Sequence, residues 1–261
     1  MAKLLTVAGR VFAGLVFLFL LAPLVVLVVA SFNSADSVAF PPSGFSLRWY
    51  SAVLSSPDWL VSFQLSGLLV VFVVLTTVVL GTTAAYGIAR GTFPGKGALA
   101  GLALGPLLIP EIIIALGLLY YLQGLQLTNT ITGLWLAHSL IALPYVVRAV
   151  LVSASGLDVT LERAAASLGA SNRRVFWTVT LPLLRPGIIA GAVFAAVTSL
   201  GEVAITALVA GANTTTVPLR IFSAVQFQLD PSVAAVSTLL LAASVIVMLV
   251  LERFVRLSEL L

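Results

Sequence analysis

The chain has 261 residues, 61% of them hydrophobic and only 8% charged, with a formal net charge of +4. Soluble globular domains carry roughly 25% charged residues, so this chain has too little polar surface to face water all round and must sit in lipid. The basic residues are scattered in ones and twos, which reads as a topology signal and not as a nucleic-acid surface. With no cysteine and a single histidine, disulfides, thiolate metal sites and histidine clusters are excluded.

A span needs about 20 apolar residues to cross a ~30 Å hydrocarbon core. Val11 to Ser31 has that length. It follows Lys3 and Arg10 but lacks a small-x-small cleavage site, so it reads as a retained first span and not as a signal peptide. Pro23 inside it is tolerable in a membrane helix whose neighbours satisfy the freed carbonyl. Residues 32–62 form a polar loop in which Pro41-Pro42 and Gly44 rule out a continuous helix. Trp49, Tyr50 and Trp59 are its expected interface anchors. The second span is Phe63 to Ile88, closed by the basic turn Arg90 to Lys96. The third, Ala98 to Leu122, is broken by Pro106 and Pro110 and carries Glu111. The fourth, Ile131 to Val152, carries His138, Pro144 and Arg148. A polar segment, residues 156–182, leads to the fifth, Pro186 to Val209, with Glu202 inside it. Gly211 to Pro231 is a second polar loop, and the sixth span is Val233 to Leu251.

The expected fold is therefore an all-α membrane protein of six transmembrane helices. A membrane body over residues 11–255 lies between an N-terminal stretch, 1–10, and a tail, 256–261. Eleven Lys and Arg fall on the side of the termini: Lys3, Arg10, Arg90, Lys96, Arg148, Arg163, Arg173, Arg174, Arg185, Arg253 and Arg256. Only Arg48 and Arg220 fall on the other. The positive-inside rule then puts both termini, and the polar segment 156–182, in the cytoplasm.

That segment reads GLDVTLERAAASLGASNRRVFWTVTLP. Leu157, Leu161, Ala164 or Ala165 and Leu168 recur at helical steps and place an apolar stripe on a helix of about three turns. Asp158 or Thr160 can cap its start, and Gly169 stands where a left-handed turn ends it. Ser171 can cap a second helix bearing Val175, Phe176 and Val179. Small side chains at Ala164, Ala165 and Ala166 let such a helix enter a groove closely, with Glu162 and Arg163 as charged flanks. The plainer reading is an amphipathic helix lying on the inner leaflet.

Two carboxylates within the spans are costly, by about 2.5–3.5 kcal/mol each on insertion scales. Glu111 and Glu202 line a cation pathway, or else each makes a structural hydrogen bond or sits near a helix end. Tyr120, Tyr121, Trp135 and Tyr145 are candidates for a cation–π cage, or else ordinary interface and core aromatics. His138 reads as a satisfied packing residue. Gly67, Gly81 and Gly87 read as points of close helix packing.

The central segment resembles the signature loop of type I, binding-protein-dependent ATP-binding-cassette importers, in their inner-membrane permease subunits. There the pattern is Glu-Ala-Ala, three residues, Gly, about nine residues, then Ile/Val-x-Leu-Pro. Here it is Arg163-Ala164-Ala165, then Gly169, then Val179-Thr180-Leu181-Pro182. The departure is Arg163 in the first position, with Glu162 one step earlier. The stretch FPPSGFSLRWY, the Arg90–Lys96 turn, Leu-Ile-Pro-Glu111, Leu143-Pro144-Tyr145 and the run VPLRIFSAVQFQLDPSVAAVSTLL resemble the second permease subunit of spermidine/putrescine-type systems.

The resemblance implies a subunit of the bacterial inner membrane, with Glu162, Arg163, Ala164, Ala165, Leu168, Gly169, Leu181 and Pro182 contacting an ATPase. The implied partners are a second permease subunit of different sequence, two cytoplasmic ATP-binding subunits and a periplasmic or lipid-anchored binding protein. ATP and Mg would be bound by the ATPase alone; this sequence has no GxxxxGK[ST] loop. A stand-alone secondary transporter or channel is the competing reading. Two isolated glutamates and no visible internal repeat argue against it.

Overall fold

The computed structural model describes residues 2–36, 40–227 and 231–259. Residues 228–230 of the polyamine-like run and the last two residues of the tail lie outside the described residues. The described residues form helices joined by loops, and their one β contact is an isolated antiparallel bridge between Asn33 and Phe45. By contacts it divides into two compact units, residues Met1–Val61 with Arg220–Ala242, and Ser62–Leu219 with Ala243–Leu261.

The first unit contains α1 (Ala2–Ala30) and α2 (Arg48–Ser55). It also holds the start of α3 (Pro57–Arg90), most of α11 (Val217–Phe227) and the first part of α12 (Ser232–Glu259). No residue in the apolar stretch of α1 is buried within the chain, so its outer face is open to lipid or another subunit. Between α1 and α2 the loop is ordered by Asn33, whose Oδ1 accepts from the backbone of Ala35 and Ser43 and from the Ser43 hydroxyl. The aromatics expected at the interface also make contacts within the protein. Trp49 donates to the Asn33 carbonyl at 3.0 Å, and the Tyr50 hydroxyl lies 2.6 Å from that of Ser31. Trp59 is 9% exposed, with the Arg220 guanidinium over its ring and Arg220 paired to Asp58 at 3.6 Å. The polar loop expected over Gly211–Pro231 is mostly the helix α11, with Pro218 in its first turn, where a missing N–H costs nothing.

The second unit is built on α6 (Ile131–Gly156), whose Ala142, Val146, Val150 and Ala154 are buried at four-residue steps. It packs along a helical run, Asn172–Gly201, made of α8 (Asn172–Val175), a π turn (Phe176–Thr180) and α9 (Leu181–Gly201). At Gly187 an added Cβ would lie 2.9 Å from the Ala149 carbonyl, and at Gly191 3.1 Å from the Val146 Cα. This is the small-xxx-small contact that lets two membrane helices touch backbone to backbone. Of the three glycines expected to serve close packing, Gly81 does so, against Val146. Gly67 and Gly87 have nothing within 4 Å of an added Cβ.

Two expectations need correction. The fifth span does not begin at Pro186 and run to Val209. The helix that carries it begins at Asn172, includes Pro182 and Pro186, and ends at Gly201. Glu202 adopts extended backbone, ψ 120°, before the short α10 (Ala204–Val209). The third stretch, expected as one span broken at its prolines, is bent so sharply at that break that it forms two arms. α4 (Lys96–Leu104) and a 3-10 turn (Gly105–Leu108) meet α5 (Glu111–Gly124) at a bend of 108°. Pro110 explains the break, because the residue before a proline is pushed to extended geometry, and Ile109 has φ −99° and ψ 132°. Five continuous helices among the described residues are long and apolar enough to cross a membrane, and six spans result if the bent pair counts as one.

Candidate functional site: a capped knuckle and a carboxylate-lined cavity

The functional residues gather at opposite ends of the long α6/α9 pair. At one end, α6 hands over at Leu157 to α7 (Val159–Ser167), the expected short helix. Asp158 caps it, its Oδ1 accepting from the Thr160 N–H at 2.9 Å, and these hydrogen bonds hold its carboxyl below the usual range. Gly169 has φ +89°, a left-handed conformation that costs an L side chain about 1–2 kcal/mol. Its N–H and that of Ala170 donate to Ala166 and Ala165 and close the helix. Ser171 Oγ then accepts from Arg174 and starts α8.

The expected stripe is only partly buried. Leu157 packs on the core, but Leu161 is 49% and Leu168 90% exposed. Arg163, Ala164, Ala166 and Gly169 are exposed beside Leu168, while Ala165 is half-buried. Leu181 and Pro182 are half-buried in the first turn of α9.

Glu162 is not one of the outward flanks. Its Oε1 accepts from the buried Thr180 hydroxyl at 2.8 Å, and its Oε2 lies 3.4 Å from Arg90 Nε. Arg90 Nη2 donates to the Leu157 carbonyl at 3.2 Å. One turn back on α3, Tyr86 meets Phe176 of the π turn edge-on, 5.3 Å between centroids. The sequence marks Arg90 as a topology charge and the start of a basic turn, not as a partner of Glu162. The i, i+4 spacing of Tyr86 and Arg90 on one helix face was the available signal.

At the far end the two glutamates, isolated in sequence, come together. Glu111 opens α5 at the first break and Glu202 occupies the second. Both side chains line one cavity of about 520 Å³. Glu202 is 4% exposed, and its Oε1 accepts from Ile205 N–H at 2.7 Å, so it caps α10. Pro106, Ile109, Tyr145 and Thr198 complete much of the wall, and among the described residues no basic side chain lines it.

Behind Glu202, His138 is fully buried, with Nδ1 3.0 Å from Ser199 Oγ and Nε2 3.0 Å from Thr206 Oγ1. The Thr206 hydroxyl donates to the Glu202 carbonyl, so His138 Nε2 carries the proton given to Thr206, and Ser199 donates to Nδ1. His138 is thus the satisfied packing residue expected. It braces α6 against α9 and α10 on both sides of the break.

Of the candidate aromatics, Tyr145 lines the cavity and stacks on Phe194 at 6.3 Å. Tyr120 does not line it. It lies nine residues beyond Glu111, about 13 Å along α5, and is 74% exposed. Tyr121 is likewise exposed, and Trp135 donates to Thr76.

A lipid-embedded helical body with a capped polar knuckle at one end and an acidic cavity at the other has the parts of a membrane permease subunit. Residues 77–259 match the family described as the inner membrane component of binding-protein-dependent transport systems, and the chain belongs to that family. It is 34% identical to the putrescine transport system permease protein PotI of Escherichia coli over 234 residues, 87% of this chain and 83% of that one. It is 30% identical to the spermidine/putrescine permease PotC of the same organism over 257 residues, 95% of each. Among solved structures, a bacterial ABC transporter involved in alginate import superposes with a TM-score of 0.76 at 16% identity, covering 97% of this chain and 96% of that one. The chain is accordingly a multi-pass inner-membrane permease subunit of an ABC importer.

Proposed function

We propose that this chain forms half of the translocation pathway for a small organic cation of the polyamine class. The observation that carries this reading is the Glu111–Glu202 pair. Two carboxyl groups in one cavity with no basic neighbour among the described residues carry unbalanced negative charge even when they share a proton, and an ammonium group there would pair with it. Tyr145 would add a ring face to the same cation. The similarity to PotI and PotC supports the cargo class. The fold does not decide it, since a transporter of an acidic polysaccharide shares that fold.

The knuckle supports the second half of the proposal. Its glycine-ended α7 and exposed Leu168 would enter a cleft of a cytoplasmic ATPase, with both termini on that same side. The working assembly would contain a second, different permease subunit, two ATP-binding subunits and a periplasmic or lipid-anchored binding protein. This chain would neither bind nor hydrolyse ATP.

The test is uptake into proteoliposomes carrying the full complex. Putrescine or spermidine uptake should need ATP and fall sharply in Glu202→Gln, which keeps the capping acceptor for Ile205. Wild-type kinetics in that variant would remove Glu202 from the pathway.

A further inference from the structure

We propose that Arg90 and Glu162 form a bolt that makes the α7 knuckle move as one body with the adjoining ends of α3, α6 and α9. The proposal rests on the importer reading, since it concerns how motion imposed on α7 reaches the spans.

Four elements meet at this pair. Glu162 belongs to α7, Arg90 ends α3, Leu157 ends α6, and Thr180 ends the π turn that feeds α9. Glu162 holds two of them, Thr180 by a hydrogen bond and Arg90 by an ion pair. Arg90 holds the third through the Leu157 carbonyl. The 3.4 Å approach of Arg90 Nε to Glu162 is charge contact and not a hydrogen bond, and Nε has no other acceptor among the described residues.

The pair is shielded, its side chains 20% and 16% exposed, so it is screened less than a surface pair. Tyr86 against Phe176 gives α3 a second grip on the π turn. The π turn adds one residue to the helix and re-phases α9 by about 100°, and Thr180 there is fully buried toward α7.

α3 has a particular reason to need this link. α6 and α9 connect to α7 through short covalent segments on either side. α3 is distant in sequence and can follow α7 only through side chains. Without the bolt, a pull on α7 would reach α6 and α9 and leave α3 behind. The bolt also explains the placing of charge on the knuckle. Of the segment's two acidic residues, Asp158 caps α7 and Glu162 is turned inward, while its neighbour Arg163 is exposed.

The experiment compares uptake and ATP hydrolysis, measured together, in proteoliposomes holding the complete complex. The chains are wild type, Arg90→Gln, Glu162→Gln and the double variant. Each single variant should hydrolyse ATP within about twofold of wild type, yet import about fivefold less cargo per ATP, the size of effect expected when a coupling contact is lost. The double variant should be no worse than either single, because both remove one bolt. Unchanged cargo per ATP in both singles, or losses that add in the double, would overturn the proposal. If either charge variant fails to assemble, Thr180→Val removes only the hydroxyl on Glu162. It should give a smaller loss of the same kind, and wild-type coupling in it would count against the bolt. A wild-type complex that shows no ATP-driven uptake would defeat the importer reading instead.

Discussion

The two ends of the α6/α9 pair place charge in opposite ways. At the knuckle, Glu162 faces Arg90, and the pair is complete without any outside group. At the cavity, Glu111 faces Glu202, and no basic side chain among the described residues lines the wall to balance them. Matched charges hold elements in place; a carboxyl pair with no basic neighbour leaves room for a cation brought from outside. On the proposed function the first end would transmit position and the second would receive cargo. They are joined by a helical run of 30 residues, about 45 Å at 1.5 Å per residue.

The comparison breaks most visibly at Gly169. Gly169→Asp should abolish ATP-driven uptake while the chain still inserts and assembles, because it loads a left-handed position and puts a carboxylate on the exposed tip. Normal uptake by that variant would show that the tip carries no force. Next, Glu202→Gln and Glu111→Gln should each lower uptake efficiency by about tenfold, equivalent to ~1.4 kcal/mol, with ATP hydrolysis still responsive to the binding protein. Equal loss of hydrolysis would place both residues in structure and not in the pathway.

Smaller effects sharpen the contrast. Tyr145→Ala should weaken cargo affinity several-fold, in the range of about 0.5–1 kcal/mol or more for a cation–π contact. Tyr120→Ala, outside this cavity, should leave affinity unchanged. A reversed ranking in a competition uptake assay would relocate the aromatic contact. The smallest change is expected at the cap. Asp158→Asn keeps a side-chain acceptor for Thr160, so uptake near neutral pH should match wild type. The Asp158 carboxyl sits below its usual range in the folded chain, so its contribution is present above that range and lost as pH falls through the lowered value. Uptake by Asp158→Asn should therefore also be less sensitive to acid than wild type, read from paired pH profiles.

How far the sequence could be read depends on the range of the interactions involved. Asp158, Gly169 and Ser171 act on residues within a few positions, and each was readable as a cap or turn. Pro110 likewise announced a break, though not its 108° angle, which depends on how α4 and α5 pack. The pairings that define the two ends were not readable. Arg90 meets Glu162, and Glu111 meets Glu202, only after several spans have folded back on one another. Apolar periodicity gives no register between membrane helices. It could not distinguish Gly187, which touches α6, from Gly67, where an added Cβ would meet nothing within 4 Å. The same gap placed Glu202 inside a helix when it stands at the helix end.

The account depends most on the knuckle being moved by a nucleotide-driven partner. The direct measurement is putrescine flux into proteoliposomes holding this chain and its partner permease, with and without the ATP-binding subunits. Flux should appear only when those subunits, the binding protein and ATP are all present. Sustained flux from the two permease chains alone would contradict it.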